Sequence, residues 1–237
     1  MESIKNRLNE MNWDDIRNEL HDKGFAIVPK VLNDEACQGL IENYSTAGRY
    51  RKTIVMERYR FGLGEYKYFS YPLPALLQAL RENVYAHIAP VANQWMREAA
   101  MEKQFPATHA EMILECQKNN QVYPTPLILK YGKGGFNTLH QDLYGDVYFP
   151  IQVLFLLNQS GKDFTGGEFV ITEQIPRAQS KANVLCPNKG DMVIFTTNFR
   201  PVRGSKGFYK VNMKHGVSPL HSGERYSMGI IFHDALS

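Results

Sequence analysis

The hydrophobic pattern changes period once along this chain. Over roughly the first 120 residues apolar positions recur at helical spacing. Asn12 is placed to cap a helix that carries Asp14, Ile16 and Leu20 and stops at Gly24, and a short strand is predicted at Phe25–Val28. Asn33 is placed to cap a second helix, with Cys37, Leu40, Ile41 and Tyr44 on one face. A longer helical stretch is predicted from about Pro74 to Lys103, with Leu76, Leu77, Leu80, Val84 and Ile88 along one side.

Beyond residue 125 the period shortens. Strand-like runs fall at Pro126–Tyr131, Thr138–Asp142, Phe149–Leu157, Gly167–Thr172, Ala182–Cys186, Asp191–Phe195, Val211–Ser218 and Arg225–His233. Turn signals at Gly132-Lys-Gly-Gly, Ser160-Gly, Asn188-Lys-Gly and Ser222-Gly separate them. Eight short strands so spaced predict a closed or double-sheet antiparallel architecture, of which the jelly roll is one form. The fold class is therefore α+β, mainly β with a helical annex. No repeat or Pro/Gly linker interrupts the chain, so one domain over 1–237 is expected, with a mainly helical part (1–120) packed on a β core (125–234).

Composition changes this picture little. Of 237 residues, 43% are hydrophobic and 22% charged, as in ordinary globular proteins, and the net charge of +3 falls short of a dedicated nucleic-acid binder. The first 25 residues are charged throughout and lack the apolar core of a signal peptide, and the apolar run Val153–Leu157 is far too short for a membrane span. Cys37, Cys116 and Cys186 are odd in number and widely spaced, which predicts free thiols, a cytoplasmic setting and no cysteine-built metal site.

The candidate chemistry begins at His140-Gln141-Asp142. On a strand, residues i and i+2 project from one face, so an imidazole and a carboxylate can converge on one ion; a helix would splay them about 200° apart. His215, 75 residues later in another strand, is a third candidate ligand. Two histidines and one carboxylate leave octahedral positions open, as non-haem Fe(II) needs for co-substrate and dioxygen. Taken alone, His140 and Asp142 would more often be structural. Similar pairs in this chain (His109-Ala-Glu111, His233-Asp234, His21-Asp22) have spacing or context that does not converge.

What shifts the balance is Arg225-Tyr226-Ser227, starting ten residues after His215. Arg225 and Ser227 share a strand face, and the guanidinium fork matches a carboxylate bidentately. Tyr131, nine residues before His140, adds a phenolic donor from the preceding strand.

These segments resemble the 2-oxoglutarate oxygenases of the prolyl-hydroxylase type. Tyr131 to Asp142 is similar to their Y-x(8)-H-x-D opening, and Thr165-Gly-Gly-Glu-Phe169 and Lys189-Gly-Asp-Met-Val-Ile-Phe195 match two further segments. His215 through Ser227 matches the closing H-x(9)-R-x-S, with Arg225 where prolyl hydroxylases commonly carry Lys. Over most of the chain HQDLYGD, DFTGGEFVITEQ and VNMKHGVS…GIIFHDA resemble a bacterial oxygenase family held to act on damaged nucleic acid, by analogy with the AlkB-type demethylases. The resemblance implies a double-stranded β-helix with Fe(II) on His140, Asp142 and His215. It implies 2-oxoglutarate with its distal carboxylate on Arg225, assisted by Ser227 or Tyr131, dioxygen as second co-substrate, and a hydroxylated product released with succinate and CO2.

The primary substrate is less legible. Residues 49–71 interleave five basic residues before Phe61 with seven aromatics, and 199–214 carry Arg200, Arg203, Lys206, Lys210 and Lys214 without an acid. Both suit a nucleic-acid backbone with an extruded base. They equally suit an anionic metabolite or an acidic peptide, or a solvated loop whose tyrosines pack on the barrel. Gln152 and Asn158 are candidate interior polar groups. Three readings follow: an oxygenase of alkylated nucleic acid, a hydroxylase of a protein side chain or small metabolite, and a non-catalytic cupin-like metal binder, against which Arg225-x-Ser227 argues.

Overall fold

The computed structural model describes the backbone from residue 2 to 237 and side chains from Ile4 onward. Among the described residues five α-helices occur: α1 (Glu2–Asn9), α2 (Trp13–Lys23), α3 (Asp34–Glu42), α4 (Ala75–Glu98) and α5 (His109–Lys118). Their ends follow local chemistry. The Asn12 side chain accepts the Asp15 N–H, and Gly24 takes the left-handed conformation that closes α2, its N–H donating to Leu20 O. Asn33 accepts the Ala36 N–H at the start of α3, and Thr108 and Glu111 form a reciprocal capping box on α5. Glu111 is thereby a capping residue.

The strands are β1 (Phe25–Val28), β2 (Tyr50–Val55), β3 (Gly62–Leu63), β4 (Glu65–Phe69), β5 (Leu127–Tyr131), β6 (Phe136–His140), β7 (Ile151–Leu156) and β8 (Phe164–Gly166). They continue with β9 (Phe169–Gln174), β10 (Lys181–Leu185), β11 (Met192–Thr196), β12 (Phe199–Gly204), β13 (Gly207–Val217), β14 (Leu220–Gly223) and β15 (Arg225–Ile230). All named pairings are antiparallel. The order β11-β7-β15-β5 forms one four-stranded layer and β10-β9-β13-β6 the facing one, which is the eight-stranded double-stranded β-helix. Strand β1 extends the first layer at one edge and β4-β2 at the other, while β3 and β12 extend the second.

The eight expected strands correspond to these eight. Three differences have physical causes. The chain folds as strand at β2 and β4, within the half read as helical; β2 carries Arg51 and Lys52 because it is the edge of the sheet, where charge is tolerated, and β4, carrying Glu65 and Lys67, lies between it and β5. The hairpin β12–β13 forms inside the basic segment 199–214. Strand β6 ends at His140, so Asp142 lies just beyond the strand.

Alternation within β7 explains its unbroken apolar run. Ile151, Val153 and Phe155 join the cluster shared with α1, α2 and α4, whereas Leu154 and Leu156 join Phe169, Ile171, Val211 and Met213 inside the barrel. Strand β15 divides likewise: Tyr226, Met228 and Ile230 face the helices, and Arg225 and Ser227 face inward.

A buried network ties α4 to the C-terminal segment. Arg81, fully buried, donates to Ile231 O, His233 O, Tyr71 Oη and Thr125 Oγ1, and pairs with Asp234 at 2.8 Å. Replacing Arg81 by Met would strand the Asp234 carboxylate in the interior. The expected loss is about 3–5 kcal/mol. Urea unfolding of Arg81→Met measures it, and the double variant with Asp234→Asn should recover part of the loss.

Candidate active site

Strands β6 and β13 bring His140 and His215 into register, directly opposite one another. Their rings lie 4.2 Å apart. Asp142, from the turn after β6, closes the set: its Oδ1 is 3.5 Å from His140 Nε2 and its Oδ2 3.3 Å from His215 Nε2. One donor atom from each residue lies within 4.8 Å of the others. His140 Nδ1 lies 2.8 Å from Thr138 O, so that nitrogen carries the proton and Nε2 presents its lone pair to the shared point.

The residue between the two candidate ligands points the other way. Gln141 Nε2 sits 2.7–2.9 Å from three acceptors, Asn198 O, Asn212 Oδ1 and Met213 O, among which its two N–H groups are shared, anchoring the H-x-D segment to the β12–β13 hairpin. On the inner side, Tyr144 Oη donates to Asp142 Oδ1 at 2.8 Å and Tyr68 Oη donates to Tyr144 Oη at 3.3 Å. Two phenols thus orient the carboxylate after the strand has ended. Sequence reasoning missed Tyr144 and Tyr68; the only signal was the aromatic beside the H-x-D motif.

Burial pushes the Asp142 carboxyl up, but His140, His215 and the Tyr144 hydroxyl together pull it below the usual carboxylate range. Burial, then the neighbouring His140, lowers His215, which favours the neutral form a metal requires. Tyr144 is raised well above an ordinary phenol by burial and by Asp142, so it remains a donor.

Arg225, Ser227 and Tyr131 meet on the inner face of the other layer. Arg225 and Tyr131 are cross-strand partners, and the guanidinium sits 5.7 Å from the Tyr131 ring centroid. Arg225 Nη1 donates to Ser227 Oγ at 3.0 Å. All three residues are essentially fully buried, yet no acid pairs with Arg225 among the described residues, and Arg225 Nε and Tyr131 Oη have no partner. Burial depresses Arg225 to about 10, with Tyr131 and Glu168 opposing, so it is a cation at neutral pH. Burial raises Tyr131 to about 12, Arg225 opposing. A buried cation beside unpaired donors fits a carboxylate ligand.

A cavity of ≈ 220 Å³ joins the His140/Asp142/His215 set to Tyr131 and Ser227, the two residues beside Arg225. His140, Asp142 and His215 line it with Tyr131, Ser227 and Gln152. Gln152 is buried with its Nε2 unpartnered, as expected of a polar group near the site, whereas Asn158 serves the backbone, exchanging bonds with Glu224 O and Tyr226 N. His109 and His233 stay outside: His109 contacts Phe232 O, and His233 Nδ1 accepts the Phe149 N–H. Burial lowers both to about 3. Cys37, Cys116 and Cys186 are free thiols. No described helix is long and apolar enough to cross a membrane.

Two imidazoles and a carboxylate converging inside a double-stranded β-helix define the class of non-haem Fe(II) oxygenases. Comparison with known proteins agrees. Residues 64–235 match the model of a family described as "Oxygenase, catalysing oxidative methylation of damaged DNA". The chain belongs to this family and is an Fe(II)- and 2-oxoglutarate-dependent oxygenase, with 2-oxoglutarate and dioxygen as co-substrates. A protein of Mycobacterium tuberculosis, described as uncharacterized, is 41% identical over 167 residues, covering 70% of this chain and 72% of its own.

Solved structures share the fold at low identity. A Pseudomonas putida prolyl-4-hydroxylase superposes with a TM-score of 0.56 at 13% identity, over 94% of this chain and 100% of that one. A Trichoplax adhaerens prolyl hydroxylase, in complex with a hypoxia-inducible-factor peptide, gives 0.54 at 14% identity, over 98% and 91%.

Proposed function

We propose that this oxygenase removes alkyl groups from damaged nucleic acid by hydroxylating the carbon attached to nitrogen. The observation that carries the chemistry is the His140/Asp142/His215 cluster sharing one cavity with Ser227 and Tyr131, the residues beside a buried guanidinium that has no paired acid among the described residues. His140 Nε2, one oxygen of Asp142 and His215 Nε2 are the proposed metal ligands. Arg225, with Ser227 and Tyr131, is the proposed seat of the distal carboxylate of 2-oxoglutarate. The bound iron supplies the dioxygen chemistry that converts 2-oxoglutarate to succinate and CO2 while a substrate C–H becomes C–OH.

The chain's own residues orient and enclose. Tyr144 donates to Asp142 Oδ1, which fixes the carboxylate with Oδ2 facing His215 Nε2. Phe169 and Phe195 pack on the His215 ring at 5.8 and 4.8 Å and exclude water from that side. An N-linked CH2OH group collapses to N–H and formaldehyde, so the family's oxidative reaction on a methylated base is read here as methyl removal; an oxygenase has no methyl group to donate. We further propose that residues 1–237 act as a single domain. Support comes from the buried cluster that joins Leu8, Leu20 and Trp95 to Phe155 and Met228.

The substrate is tested by measuring succinate and formaldehyde with alkylated single-stranded DNA and RNA across a salt series. Both products should rise together, and the affinity for the oligonucleotide should fall steeply with salt. If no alkylated base stimulates succinate or yields formaldehyde, the nucleic-acid assignment falls and a peptide or small-molecule hydroxylase takes its place.

A further inference from the structure

The sequence offers two basic, aromatic segments as substrate contacts, and the structure separates them. In 199–214, Arg200 is held by Glu173 at 3.0 Å and Lys210 reaches Met101 Sδ, 5.4 Å from the Phe199 ring. Arg203 and Lys206 are exposed near the hairpin tip. At about 3.3 Å per residue along β13, Lys206 lies about 30 Å from His215. The segment at 56–63 is different. Phe61 O accepts both Thr138 N–H and Thr138 Oγ1–H, at 2.8 and 2.9 Å, and Thr138 O in turn meets His140 Nδ1. Gly62 presses on β6 so closely that a Cβ would come within 2.2 Å of Phe136 O, in a backbone conformation of φ +147°. Phe61 is thereby fixed at the rim, lining the cavity that holds His140 and Asp142.

On that rim Tyr59 and Phe61 stack on each other, 5.5 Å between centroids and 19° from parallel, though both are largely exposed, at 53% and 44%. Neighbouring Arg58 and Arg60 are exposed, and neither pairs with an acid among the described residues. The acid of the turn, Glu57, is engaged by the Gly64 N–H. A flat aromatic pair flanked by two free guanidiniums matches one ligand chemistry: an unpaired base with its phosphates.

We propose that Tyr59–Phe61 is the stacking platform for an unpaired nucleobase delivered to the cavity, with Arg58 and Arg60 on the adjoining phosphates. This rests on the nucleic-acid reading above and specifies where the strand is gripped. The stack orders the base, and the guanidiniums hold the backbone outside the cavity. Duplex would have to extrude its base first, so single strands are the better ligands.

The test uses holoenzyme with 2-oxoglutarate under argon, where substrate binds without turnover. A single-stranded oligonucleotide carries 2-aminopurine beside an alkylated base, and its emission and anisotropy are followed. Wild type should quench the emission on binding. The Tyr59→Ala/Phe61→Ala variant should lose the quench and bind about 10- to 100-fold more weakly, while Tyr59→Trp retains both. Arg58→Ala/Arg60→Ala should keep the quench but flatten the salt slope by about two contacts, and Arg203→Ala/Lys206→Ala should bind as wild type. Thermal midpoints check that the exposed substitutions leave the fold intact, and Tyr59→Ala alone repeats the test if the double variant does not fold. Wild-type formaldehyde release with an unchanged affinity and quench in the alanine variants overturns the platform and leaves the nucleic-acid reading standing. Absence of both binding and formaldehyde in wild type overturns that reading and the platform with it, as does preferential binding of a peptide.

Discussion

Asp142→Ala and His215→Ala are each expected to reduce 2-oxoglutarate-dependent succinate formation below detection and to abolish stoichiometric metal binding. Three donor atoms share one point, so removing one leaves two imidazoles, or an imidazole and a carboxylate, to hold an ion that must also accept co-substrate and dioxygen. Isothermal titration with Mn(II) or Co(II) reads the binding, and mass spectrometry reads succinate. Tyr144→Phe separates support from ligation: the three proposed ligands remain, but Asp142 loses its inner hydrogen bond, so metal affinity should weaken by about 10- to 100-fold without vanishing. Full turnover by Asp142→Ala in metal-depleted buffer would falsify the assignment.

Arg225 gives the second large effect, and it runs in two directions. Arg225→Ala should raise the 2-oxoglutarate requirement by about 30- to 4000-fold, the equivalent of removing one partner from a buried charge pair worth about 2–5 kcal/mol. Arg225→Lys keeps the charge but loses the fork, so its effect should be smaller, and metal binding should be nearly intact in both. Without 2-oxoglutarate the guanidinium is buried with Ser227 as its only hydrogen-bond partner among the described residues, a cost to the folded state. Arg225→Met should therefore melt no lower than wild type when ligand-free, yet lose the rise in melting temperature that 2-oxoglutarate gives wild type. An unchanged co-substrate dependence in Arg225→Ala would mean that another cation does this work. The fold leaves few substitutes: Lys214 is exposed on the opposite face of β13 from His215, and Arg203 lies toward the hairpin tip.

Much of the fold is legible in the sequence because it depends on local rules. Asn12, Gly24 and Asn33 mark helix ends through hydrogen bonds that span only a few residues. The eight core strands are bounded by turns whose backbone demands show in composition. The i, i+2 relation of Arg225 and Ser227 follows from the pleat alone. Charged strands at the sheet's margin defeat this kind of reading: β2 and β4 carry charges that mask their strand pattern, and only the pairing of β4 with β5, and of β2 with β4, makes them strands.

The sequence by itself determined the candidate chemistry: which side chains could be ligands, which could anchor a dicarboxylate, and that every candidate except Asp142 occupies a short β segment. The tertiary structure decided everything that depends on contacts between distant segments. It set His215 opposite His140 through the β13–β6 register, brought Tyr68 and Tyr144 to an Asp142 that lies off the strand, and left Arg225 with no paired acid among the described residues. It also parted two basic segments of similar composition, committing Arg200 to Glu173 and setting Phe61 at the rim of the cavity. The physical reason is the range of the interactions. Periodicity and capping act within a few residues and can be read along the chain, whereas register, desolvation and the pairing of charges are properties of neighbours that only folding brings together.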